Sequence, residues 1–141
     1  MKRNGDIIIV EDDPDDWEVL INIFKKVMKE QKYDNRVIVF EDSTMVLDYL
    51  NDSDTELFMV LSDINMPLLD GLQLRESICA DPELHKRCTP YIYLSTADIN
   101  KDQIAKATQL SVEGFFKKPD SVKEYKILIE GILNYWKKNI L

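Results

Sequence analysis

The run Leu57-Phe58-Met59-Val60-Leu61 stops abruptly at Ser62-Asp63, and this junction constrains the fold more than any other stretch. Five consecutive apolar residues without a breaker are too few for a typical helix. They read as a strand buried on both faces, the kind that parallel sheets contain. Asn65, Met66-Pro67 and Asp70-Gly71 then mark a loop. A carboxylate where a buried strand surfaces stands where open α/β sheets bind ligands, outside the strands' carboxyl ends. Asp also opens turns for its own reasons. Asp63 therefore takes its meaning from what the other strands bring beside it.

Four more short runs share this form: Ile7 to Val10, Val37 to Phe40, Tyr91 to Leu94, and Gly114 to Phe116. Helical patterns separate them. Asp13 is expected to cap the first helix, with Pro14 at its first position and Asp15 and Asp16 at its positive end. Trp17, Leu20, Ile21, Phe24, Val27 and Met28 follow at helical spacing as core residues. Ser43 is expected to cap a second helix that presents Val46, Leu47 and Leu50. Leu72 to Cys79 forms a third, with Leu72, Leu74, Ile78 and Cys79 available for burial. Asp81-Pro82 breaks it or starts a turn, and Glu83 to Thr89 reads as a polar connection. Asn100 and Gln103 resemble a capping box at the start of a fourth helix carrying Ile104, Ala107 and Leu110. Asp120 or Ser121 caps the fifth, which turns Tyr125, Leu128, Ile129, Ile132 and Tyr135 or Trp136 inward. Five strands alternating with five helices predict right-handed crossovers and a doubly wound, parallel α/β sheet in one domain over residues 1–141.

The net charge of −8, from 18 basic and 26 acidic residues, argues against a nucleic-acid surface and suits a cation or a basic partner. No apolar run is long enough to span a bilayer, and Lys2-Arg3 precedes too short a run for a signal peptide. Cys79 and Cys88 suggest no disulfide framework, so a reducing cytoplasmic compartment is expected. With His85 between them, their spacing fits no zinc pattern.

Chemistry collects at the strand ends. The first strand ends at Glu11 and Asp12, the third at Asp63, the fourth at Thr96 and the fifth at Lys118. In a parallel sheet these ends share one edge, so the groups can meet in one crevice. Three crowded carboxylates raise one another's pKa and persist as anions only around a cation. Oxygen ligands alone, with room for water and phosphate, suit Mg²⁺. Thr96 brings a hydroxyl and Lys118 an ammonium, complements to the oxygens of a transferring phosphoryl group. The set reads as an aspartate nucleophile, a metal and two oxygen-stabilising groups, a site that would form an aspartyl phosphate. Singly, Glu11 and Asp12 read as helix-start acids, Thr96 as a turn residue and Lys118 as a solvated lysine. Jointly those readings need four coincidences at four strand ends.

With IIIVEDDPDD, LSDINMPLLDG, YLSTAD and GFFKKP each at the proper strand end and in order, the chain resembles the receiver domains of two-component response regulators, the CheY type. The resemblance implies a flavodoxin-like sheet of order 2-1-3-4-5. It implies Glu11 and Asp12 as the acidic pair, Asp63 as phosphoacceptor and Asn65 as donor of a backbone carbonyl to the metal. Thr96 matches the switch hydroxyl, and Lys118, directly before Pro119, the phosphate-contacting lysine. Phe115 takes the switch aromatic position, where many members have Tyr, which removes a hydroxyl. A stand-alone receiver that is not itself an enzyme follows. Its phosphoryl group would come from a sensor histidine kinase or histidine phosphotransfer protein. Its output would pass to another protein, and the Phe115 face is a homodimer surface by analogy. A haloacid-dehalogenase-type phosphohydrolase would want a second Asp where Asn65 stands. A non-phosphorylated interaction module would not need Asp63, Thr96 and Lys118 together.

Overall fold

The computed structural model describes residues 2–66, 69–95 and 100–139. Its strands are β1 (Asp6–Val10), β2 (Val37–Phe40), β3 (Leu57–Ser62), β4 (Tyr91–Ser95) and β5 (Gly114–Lys117). Its helices are α1 (Pro14–Gln31), α2 (Ser43–Asp52), α3 (Gly71–Cys79), α4 (Pro82–Arg87), α5 (Lys101–Gln109) and α6 (Val122–Lys138). The sheet is parallel throughout, in the expected order β2-β1-β3-β4-β5.

β1 and β3 are buried at every residue because helices cover both faces of the sheet. Successive side chains alternate between two cores. Ile7, Ile9, Met59, Leu61, Ile92 and Leu94 meet α1 and α6 through Phe24, Val27, Ile129 and Leu133. Ile8, Val10, Val60, Tyr91 and Tyr93 meet the other helices through Val46, Leu50, Leu74, Ile78, Leu84 and Ala107.

The helix starts follow side-chain capping. Asp13 accepts from the Asp15 N–H with Pro14 next in line, and Asp70–Gln73 and Asn100–Gln103 form complete capping boxes. Ser121, rather than Asp120, caps α6. The cap of α2 is Asp42, not Ser43: its carboxylate accepts from the Thr44 N–H at 2.8 Å, and Ser43 is buried inside the first turn. Ile23 of α1 is buried, whereas Trp17 and Ile21 are only half-buried. On α6, Trp136 turns inward and Tyr135 outward.

A sixth, short helix joins the five expected, because Asp81-Pro82 starts α4 instead of merely breaking α3. Asp81 accepts from the N–H groups of Glu83 and Leu84, Leu84 is buried, and Arg87 donates to the carbonyls of Leu50, Ser53 and Thr55. Arg75, on the inner side of α3, is fully buried. Its guanidinium donates to the carbonyls of Cys88, Leu110 and Ser111 and lies 4.8 Å from the Tyr91 ring centroid.

Gly131 sits in the exposed middle of α6, and a Cβ added there would have no neighbour within 4 Å. Gly131→Ala is expected to stabilise the protein by about 0.5–1 kcal/mol, because Ala loses less backbone entropy in a helix. Urea unfolding checks this, and an unchanged or lower midpoint would contradict it.

Candidate functional site

The sheet's backbone ladder runs one residue beyond the strands, and those residues form the site. The Glu11 N–H donates to the Phe40 carbonyl at 3.0 Å, the Asp63 N–H to Val10 at 2.9 Å, and the Lys118 N–H to Ser95 at 2.9 Å. Register pairs Val10 with Ser62, which sets Glu11 and Asp12 beside Asp63 on the carboxyl edge. Among the described residues, Glu11, Asp12 and Asp63 form the one group of potential metal-ligating side chains, with ligand oxygens within 4.8 Å of one another. Glu11 and Asp63 are buried, while Asp12 is half-buried.

Lys118 enters from the far side of the sheet. It is 8% exposed, and its Nζ lies 2.7 Å from Glu11 Oε2 and 3.4 Å from Asp16 Oδ2. Lys117, one residue earlier, is exposed. Asp63 Oδ1 accepts from the Ile64 N–H at 2.8 Å. Asn65 is exposed, and its side-chain oxygen accepts from Gln103 Nε2 of α5 at 3.4 Å. Phe115 is half-buried, its ring centroid 5.5 Å from that of Tyr93. Thr96 follows Ser95 of β4 but lies outside the described residues.

Contacts that the sequence does not spell out, made by Gly71 and Tyr93, hold the Asp63 loop. Gly71 opens α3 and donates from its N–H to the Ile64 carbonyl at 2.8 Å, while its carbonyl accepts from the Tyr93 hydroxyl at 2.8 Å. A Cβ on Gly71 would stand 2.0 Å from the Asp63 carbonyl oxygen. Asp70-Gly71 signalled a turn, but nothing in it signalled this close approach. Tyr93 was hidden inside an apolar run.

Burial raises the Glu11 carboxyl from its ordinary 4.5 to about 7, against the hydrogen bond and charge of Lys118. Burial likewise raises Asp63, opposed by the Lys118 charge and the Ile64 N–H and assisted by Asp12. Burial would lower Lys118, but the Glu11 hydrogen bond and charge, then Asp63 and Asp16, outweigh it and the net direction is up. Two buried and one half-buried, with oxygen ligands only, the three acids fit a hard divalent cation.

An acid whose pKa rises on folding favours the fold below its ordinary pKa, and this contribution is lost as pH climbs through the folded value. Without divalent cation the protein is therefore expected to lose stability between about pH 4.5 and about pH 7 through Glu11, with the raised Asp63 carboxyl acting in the same direction. Mg²⁺ should restore more stability at about pH 7.5 than at about pH 5.5, since bound carboxylates must be ionised. Urea midpoints with chelator and with Mg²⁺ check this, and an equal Mg²⁺ increment at both pH values would contradict it.

Residues 7–130 match the family described as Response regulator receiver domain. The chemotaxis protein CheY-3 of Vibrio cholerae is 29% identical over 132 residues, covering 94% of this chain and 94% of the relative. The phosphorylated cyanobacterial phytochrome response regulator RcpA superposes with a TM-score of 0.83 at 23% identity, covering 98% of this chain and 97% of that one. The receiver domain of the Pseudomonas aeruginosa PAO1 sensor histidine kinase PA1611, with magnesium coordinated in its active-site cleft, gives a TM-score of 0.73 at 20% identity. It covers 96% of this chain and 99% of its own. The matched stretch takes in Glu11, Asp12, Asp63, Phe115 and Lys118, and the chain belongs to the response regulator receiver domain family of two-component signalling.

Proposed function

We propose that Asp63 accepts a phosphoryl group from the phosphohistidine of a sensor histidine kinase or histidine phosphotransfer protein, and that the phosphorylated surface is the signal. The observation that carries this reading is three acids and a buried ammonium gathered at one strand-end crevice. A Mg²⁺ ion would be held by Glu11, Asp12, Asp63 and the Asn65 backbone carbonyl, and when bound it neutralises charge on phosphoryl oxygens. Asp63 attacks phosphorus as the histidine P–N bond breaks, and the electron pair stays on the imidazole nitrogen. Lys118 complements a phosphoryl oxygen, joined by the Thr96 hydroxyl. Hydrolysis then breaks the P–O bond to Asp63, releases orthophosphate and restores the carboxylate. The protein so takes part in its own phosphorylation and dephosphorylation and does not turn over a separate substrate.

Phe115 carries the change outward. Its ring packs on Tyr93, which also holds the Gly71 carbonyl, so the Asp63 loop and the switch aromatic share one neighbour. Turning Phe115 inward needs no hydroxyl partner and would reshape the surface of α5, β5 and α6. Exposed Phe116, Ile127 and Tyr135 on β5 and α6 offer a downstream protein, or a second copy, apolar surface to recognise. No helix among the described residues is long and apolar enough to cross a membrane, and action in the cytoplasm fits this signalling role.

Acetyl phosphate labelling tests the reading. The protein should gain one base-labile phosphoryl group with Mg²⁺ and none with excess chelator. Absence of labelling with Mg²⁺, from acetyl phosphate and from histidine kinases alike, would overturn it.

A further inference from the structure

Lys118 is held by two carboxylates, and only one belongs to the acidic cluster. Glu11 Oε2 is 2.7 Å from the ammonium and its side chain is 3% exposed. Asp16 Oδ2 is 3.4 Å away, on the first turn of α1, and its side chain is 36% exposed. Asp16 is not among the clustered acids. It lines a separate cleft of about 290 Å³ with Lys118, Pro119, Ser121 and Tyr125. The Tyr125 hydroxyl there is buried without a hydrogen-bond partner, so it takes no share of the ammonium.

An ammonium has three donors. With two engaged by Glu11 and Asp16, one is left for an incoming phosphoryl oxygen. The longer and wetter contact is the easier to give up. We infer that Asp16 is a positioning residue that restrains Lys118 on the α1 side and competes with the phosphoryl donor for its ammonium. This inference rests on the phosphoacceptor reading of Asp63. Removing the Asp16 charge while keeping the side chain's shape leaves only a neutral amide oxygen, a weaker acceptor than a carboxylate, so the donor it holds passes more readily to the phosphoryl group and donor binding tightens.

The test is phosphorylation of the full chain by acetyl phosphate in Mg²⁺, comparing Asp16→Asn with Asp15→Asn. Asp15 is exposed and one residue earlier, so its substitution removes the same charge from the same helix turn. Asp16→Asn is expected to lower the apparent KM for acetyl phosphate about threefold to tenfold with little change in maximal rate, and Asp15→Asn to stay within about twofold of the parent. A lower KM confined to Asp16→Asn supports the restraint. Equal effects of the two variants would show the helix turn's general field at work and overturn it. An unchanged or higher KM in Asp16→Asn would also overturn it while leaving the phosphoacceptor reading intact. A parent that takes no label removes that reading and the restraint together.

Discussion

Gly71→Ala is expected to lower stability by about 3 kcal/mol and to slow phosphorylation, although it adds a single methyl group. The added Cβ would lie 2.0 Å from the Asp63 carbonyl oxygen and 2.9 Å from the Ile64 Cα. Both are backbone atoms, so no flexible side chain can swing aside. The strain is one of space and not of conformation, because no described glycine has positive φ. Relief would have to come from parting α3 from the loop. That would loosen the Gly71–Ile64 hydrogen bond and the Tyr93 hydroxyl's bond to Gly71, both at 2.8 Å. The Asp63 carboxylate would move with its backbone, and displacement on the order of 1 Å is enough to cost substantial rate in a positioned reaction. Urea unfolding and the acetyl phosphate labelling rate should fall together. A variant as stable as the parent would show that α3 does not press on this loop. Gly131→Ala, the same change where nothing lies within 4 Å, is the internal control.

The strands were legible because both faces of the sheet are covered. Leu57 to Leu61 and Ile7 to Val10 had to be continuous apolar runs, and the polar residues that end them had to sit on the edge. Parallel topology then gathered Glu11, Asp12, Asp63 and Lys118 from positions far apart in sequence. The α4 helix was written as plainly, in the Asp81 cap and Pro82, but a break and a start share those residues. Asp42 and Ser43 are equally able caps, and only the point where the backbone turns helical chose Asp42.

Arg75 is different in kind. It is buried because the carbonyls of Cys88, Leu110 and Ser111 and the face of Tyr91 converge on it. Carbonyls leave no trace in residue identity, so a charged residue between Leu74 and Glu76 gave no sign of facing inward. The Lys118–Asp16 contact was hidden in the same way, its partners being 102 residues apart. Asp16 read correctly as an acid at a helix start, yet its second contact exists only in three dimensions.

Asp63→Asn is the most direct test of the central claim, that this one carboxylate carries the phosphoryl group. Asn keeps the shape of Asp and an oxygen that can accept from the Ile64 N–H, so the loop should hold. Burial raises the Asp63 pKa, and the neutral amide meets no such penalty, so the variant is expected to be at least as stable as the parent without Mg²⁺. What it lacks is the anionic oxygen that attacks phosphorus. Parent and variant are incubated with acetyl phosphate and Mg²⁺, their intact masses are compared, and any label is mapped by peptide. The expected result is one phosphoryl group on the parent, within the peptide that holds Asp63, and none on a folded Asp63→Asn. Equal labelling of the two proteins, or label mapped to any other residue of the parent, would contradict the account.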